Sequence, residues 1–124
     1  MKQMTVALFA TIVLLFATGS WAVNKAEISE NVNSVAAAIN NGKAAGTFKS
    51  DTFTPYVFIL EKEGKLLVHP SLAGESLKVK APPVYAALAK ATPEGVWVQY
   101  KWKGKTKNTY AKMTKNNLII GSGY

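Results

Sequence analysis

From Asn24 onward the apolar positions follow a helical pattern. Ile28, Val32, Val35, Ala36 and Ile39 fall at i, i+4, i+7, i+8 and i+11, the spacing of one face of an amphipathic helix. Asn24 stands three residues before Glu27, an N-terminal capping arrangement, and Asn40-Asn41-Gly42 supplies a stop. The stripe is narrow and rich in alanine, so the helix can lie close against a flat partner such as a sheet.

Residues 43–54 read as a loop, after which the period of the pattern changes. The run YVFILEKEGKLLVHP predicts a strand over Tyr56–Glu61, a turn at Glu63-Gly64 and a second strand over Lys65–His69. Tyr56, Phe58 and Leu60 share one face of the first strand, and Val57 and Ile59 share the other. A strand that is apolar on both faces belongs in the interior of a sheet covered on both sides. Residues 70–94 change character to a polar loop, then Pro82-Pro83 starts a short helix carrying Val84, Tyr85 and Leu88, which stops at Pro93 and Gly95. Three more strands follow, VWVQYKW, TKNTYAKM and LIIGSGY, separated by Lys103-Gly104 and by Lys115-Asn116-Asn117. Short turns between them make an antiparallel meander. The expected architecture is α+β, a single five-stranded antiparallel sheet. The N-terminal helix covers one face and the 70–94 excursion folds over the other. A sheet face roofed by an irregular excursion makes a small pocket, a usual home for small molecules.

The N-terminal stretch MKQMTVALFATIVLLFATGSWAVNKAE has the three parts of a secretory signal. Lys2 is the positive region, Met4 to Thr18 the apolar run, and Ser20-Trp21-Ala22 places small residues where cleavage after Ala22 requires them. The run is shorter than the roughly 20 residues of a membrane-crossing helix. The expected division is a signal peptide over residues 1–22 and one domain over residues 23–124, exported to the periplasm or beyond. Retention of the run as an N-terminal anchor is the other reading.

The chain has no cysteine, which excludes disulfides, cysteine-based zinc sites and covalent haem attachment. All fifteen basic residues are lysine. Arginine, the usual bidentate partner of carboxylate and phosphate, is missing, and lysine acts instead as a point charge. Six lysines and no acid follow Gly95. That surplus is either a solvated surface or an attractor for an anionic ligand or an anionic surface.

The ordered set YVFILEKEGKLLVHPSLAGESL, GVWVQYKWKGKTKNTYAKM and LIIGSGY resembles the single Cache domains of bacterial extracytoplasmic sensing. The residues that carry the resemblance are Tyr56-Val57-Phe58, Gly64, His69-Pro70, Leu72, Gly74, Leu77, Trp97-Val98, Tyr100, Trp102, Lys107, Tyr110, Lys112 and Gly121-Ser122-Gly123-Tyr124. They span nearly all of residues 55–124. The resemblance implies a PAS-like fold and binding of a small metabolite, typically a short organic acid. Family members usually sit between two membrane helices, whereas this chain reads as a free-standing exported form in sensory signal transduction, so a membrane-bound sensor protein is the partner to expect.

Within that reading, Tyr56, Phe58, His69, Trp97, Tyr100, Lys107 and Tyr110 are the candidate ligand-binding residues. His69, the only histidine, has two readings: a strand-end side chain bonded to loop backbone, or a pocket donor to a carboxylate. Kinship selects Lys107 as the pocket-facing lysine, with Lys101, Lys103 and Lys105 on the surface. Tyrosine hydroxyls suit the orienting of a small acid. Alternation sets Trp97 opposite to Tyr100 and Trp102, and Lys107 opposite to Tyr110, so only one set can line the pocket unless a bulge intervenes. No catalytic constellation, metal cluster or cofactor motif is evident, and the expectation is a non-enzymatic protein. Lysines interleaved with aromatics suit nucleic acid, but export and the lack of arginine argue against it. The competing expectation is an interaction module without a ligand, docking on a membrane sensor or an anionic surface through its lysine-rich C-terminal strands.

Overall fold

In the computed structural model, which describes residues 24–124, the stripe from Ile28 to Ile39 is the buried face of helix α1 (Lys25–Asn40). The expected signal peptide lies outside the described residues. The Asn24 side chain caps the helix by accepting from the Glu27 backbone N–H at 3.0 Å. At the other end the chain turns at Gly42 with φ +106°, a conformation that only glycine adopts freely. Two polar side chains on α1 tie it to the sheet. Asn40 accepts from the Lys115 backbone N–H at 2.8 Å, and Asn33 accepts from the Lys112 ammonium at 2.9 Å.

The remaining elements are β1 (Phe58–Glu61), β2 (Leu66–Val68), α2 (Leu77–Lys80), α3 (Pro82–Leu88), β3 (Val96–Trp102), β4 (Lys105–Met113) and β5 (Leu118–Gly123). They form one five-stranded sheet in the order β2-β1-β5-β4-β3, with every neighbouring pair antiparallel. This is the expected α+β architecture. The expected loop 43–54 includes two short 3-10 turns, Ala45–Thr47 and Ser50–Thr52.

β2 begins at Leu66, β4 at Lys105 and β5 ends at Gly123, each one residue from the sequence expectation; three further differences have a local reason. The first strand begins at Phe58 rather than Tyr56, because the Val57 N–H bonds to Ser50 and the Tyr56 carbonyl accepts from the Ser122 hydroxyl. The second ends at Val68, because His69 turns its ring back onto the following loop. The excursion holds two helices rather than one. Ser76, whose hydroxyl accepts from the Val79 N–H at 3.4 Å, starts the four-residue α2 before Pro82 starts α3.

Two cores result. Val32, Val35, Ala36 and Ile39 of α1 pack on Val57, Ile59, Val68, Leu118 and Ile120. On the opposite face Leu77, Val84, Leu88 and Ala91 of the excursion pack on Phe58, Leu60, Leu66, Ala111 and Ile119. Both faces of β1 and β5 are therefore covered, as the two-sided apolar pattern requires.

Ile59 is fully buried, whereas Val79 is 78% exposed. Ile59→Ala is expected to lower unfolding free energy by about 2–5 kcal/mol through the cavity it leaves, while Val79→Ala stays within about 0.5 kcal/mol of the parent. Urea denaturation of the two variants measures the contrast.

Candidate functional site

The excursion does not seal the sheet face completely. A cleft remains between α2–α3 and the sheet, lined by Tyr56, Phe58, Leu66, His69, Leu77, Val84, Leu88, Tyr100, Trp102 and Lys107. Its inner end is made by the buried side chains Phe58, Leu66, Leu77, Val84 and Leu88. Its mouth is made by the partly exposed Tyr56, His69, Tyr100, Trp102 and Lys107. Gly121 stands opposite Phe58 in the β1–β5 register, and a Cβ there would collide with the Phe58 ring. Glycine at that position lets the ring settle onto the sheet rather than stand up into the cleft.

The continuous register of β3 and β4 decides which aromatics reach the cleft. Tyr100 pairs with Lys107 and Trp97 pairs with Tyr110, with no interruption between them. Residues an odd number apart on one strand face opposite ways, so the Tyr100–Lys107 pair faces the excursion. Trp97 and Tyr110 face the α1 side and do not line the cleft. There the Trp97 ring lies 5.4 Å from that of Tyr110 and 6.2 Å from that of Tyr124, with the Lys25 ammonium 4.7 Å above it. The Tyr110 hydroxyl donates to the Glu94 carbonyl at 3.0 Å. Of the seven candidate residues, the fold thus brings together Tyr56, Phe58, His69, Tyr100 and Lys107. Trp102 joins them, and its even spacing from Tyr100 was the signal for it. Leu77 comes from α2, whose only mark in the sequence was the capping serine.

His69 is the strand-end side chain bonded to loop backbone, and its ring also lines the cleft. Its Nδ1 accepts from the backbone N–H groups of Ser71 at 3.1 Å and Leu72 at 3.0 Å. An imidazole whose Nδ1 accepts carries its proton on Nε2 when neutral. The ring is therefore anchored by one nitrogen and keeps a donor on the other. Tyr56, Phe58 and Trp102 surround it, with ring centroids at 5.5, 6.5 and 6.3 Å. Burial holds its pKa below the ordinary value of 6.5, and the positive charges of Lys107 and Lys103 push in the same direction. Protonation would also turn Nδ1 into a donor facing two donors.

Lys107 is half-buried, with its ammonium 4.9 Å from the centre of the Tyr56 ring, a cation–π contact. Burial lowers its pKa. Among the described residues the one ion pair joins Lys80 and Glu75 at the surface, so no carboxylate balances Lys107. The Tyr100 hydroxyl shares a 2.9 Å hydrogen bond with Thr109, and burial pushes its pKa up to about 12. Tyr56 is also raised by burial. The mouth thus presents one cation and neutral O–H and N–H groups, with no carboxylate among its lining residues.

The cavity itself measures about 20 Å³, space for the centre of about one water molecule. Anything larger must displace roof side chains. A second hollow, broad and open, lies beyond His69 between residues 46–51 and 67–73, where Lys49 and Asp51 provide charges of both signs. Among the described residues no group of three His, Asp or Glu side chains is placed to hold a metal ion.

The His69 environment has a pH consequence. Its folded pKa lies below its unfolded one, so between the two the unfolded chain binds more protons and stability rises with pH. Stability is expected to fall as pH drops through 6.5 towards the folded pKa, and His69→Gln should remove that component. Thermal unfolding across pH measures it, and nitrogen chemical shifts of the ring should report the Nε2–H tautomer.

No family model matches the chain, and no curated protein matches it; what the cleft can hold is set by its own side chains.

Proposed function

We propose that this chain is an exported, non-enzymatic sensory domain of the Cache type, with a PAS-like fold, whose cleft takes a short monocarboxylate. The observation that carries the proposal is the unbalanced Lys107 ammonium, half-buried at the cleft mouth over Tyr56. Holding a cation out of water without a counter-charge is unfavourable, and an incoming anion removes that penalty. The neutral His69 Nε2–H and the Tyr56 hydroxyl are the natural second and third donors. A single cation and no acid in the lining favour a monoanion over a zwitterion or a dication.

The strand order β2-β1-β5-β4-β3 and the roofing excursion agree with a PAS-like arrangement. The ligand's carboxylate meets the mouth, and its short apolar end enters between Phe58 and the roof leucines Leu77 and Leu88. Because the cavity is only about 20 Å³, entry displaces α2 and α3 outward from the sheet. The roof is held at one edge, where the Tyr85 hydroxyl donates to the Lys62 carbonyl at 2.6 Å and the Leu77 N–H bonds to Gly64 at 2.8 Å. That edge serves as the hinge. The displacement is the signal that a membrane-bound sensor partner would read.

Titration with acetate, propionate and lactate, followed by calorimetry and by NMR of His69 and Tyr100, tests the reading. Binding should shift both signals together with those of residues 72–88. Lys107→Met should weaken it about 10- to 100-fold, the worth of one charge-assisted hydrogen bond. Silence of these signals at high millimolar concentrations of every acid would sink the proposal.

A further inference from the structure

We propose that the tip of the β3–β4 hairpin is a docking surface for an anionic phospholipid membrane. This is independent of whether the cleft binds a carboxylate. The tip is the sequence KWKGK, Lys101 to Lys105, in which Lys101, Lys103 and Lys105 are exposed while Trp102 turns mostly inward to the cleft beside His69. Lys103 at φ +52° and Gly104 at φ +80° form the tight two-residue turn that carries them beyond the end of the sheet. No acidic residue follows Glu94 in the chain, whereas the opposite end of the sheet places Glu61 and Glu63 beside Lys62 and Lys65.

Position singles out a membrane as the anionic partner. Helix α1 points its N-terminus towards this end without reaching it, because the Lys25 ammonium lies on the ring of Trp97, five residues short of the tip, while Asn40 at the far end of the helix bonds to Lys115 beyond β4. From Trp97 to Trp102 the strand advances about 17 Å towards the tip. The apolar run Met4–Thr18 ends six residues before Asn24, a length of chain that reaches at most about 20 Å. With the apolar run retained as an N-terminal anchor, the other reading of that segment, the bilayer that receives it lies within reach of the hairpin tip. The chemistry agrees. Lysines act as mobile point charges suited to a field of lipid phosphates rather than to one bidentate partner.

The test is hydrogen exchange of the full chain on vesicles of phosphatidylcholine alone and on vesicles with about a third phosphatidylglycerol. Three lysines at an anionic surface strengthen contact on the order of a hundredfold. Amides of residues 101–106 should therefore exchange about tenfold or more slowly on the anionic vesicles, with residues 62–65 unchanged. The slowing should vanish in about 0.5 M salt and in the K101Q/K103Q/K105Q variant. It should persist in K62Q/K65Q/K90Q, which removes the same charge from the other end. Equal exchange on both lipids, or equal loss in both variants, overturns the proposal. So does equal slowing by soluble heparin without vesicles, which would assign the tip to a soluble polyanion.

Discussion

Ile59 pairs with Ile120 and Leu60 with Ile119 across the β1–β5 ladder, and all four side chains are fully enclosed. Ile59 and Ile120 face α1, while Leu60 and Ile119 face the excursion. Because side chains alternate with a period of two, a slip of one residue would exchange the two sets and leave neither core filled as it is. Everything else is positioned from this doubly buried pair of strands. β4 takes its register from β5, β3 takes its register from β4, and the face on which each aromatic emerges follows without further choice.

The cleft is a consequence of how the second core is finished. Apolar side chains from the excursion fill the sheet face near β1 and β5 but leave its edge towards β3 to Tyr100, Trp102 and Lys107. A fully apolar edge would have closed, and a fully polar one would have taken up water. What the chain supplies instead is an aromatic wall with one cation at its mouth. His69 joins that wall because its ring is fixed from the other side by the Ser71 and Leu72 amides. The same bonds end β2, so a single side chain both stops the strand and defines the rim.

Much of the secondary structure was legible in the chain because the signals were local and mutually consistent. The five-residue stripe of α1 is the buried face of that helix, and its capping asparagine occupies the expected position. The two-sided apolar pattern of β1 correctly marked an interior strand. Other local events were less visible. The start of β1 shifted because Val57 found a backbone partner in Ser50, a loop residue that no periodicity links to it. α2 was missed because four residues carry too little pattern, and its capping serine resembles any loop serine.

For the site, sequence by itself determined the chemical inventory: one histidine, no cysteine, no arginine, a late excess of lysine, and aromatics spaced along two adjoining strands. It also determined that Trp97 could not share a face with Tyr100 in an unbroken strand, nor Lys107 with Tyr110. It could not say which set faced the excursion, since both faces of β3 carry aromatics and alternation is symmetrical between them. The tertiary structure decided that question through the pairing of β4 with β5, whose own faces are fixed by burial. It decided the free space as well. Cavity volume depends on how far Leu77, Val84 and Leu88 descend from a neighbouring layer, and packing across layers leaves no trace in the spacing of residues along one strand.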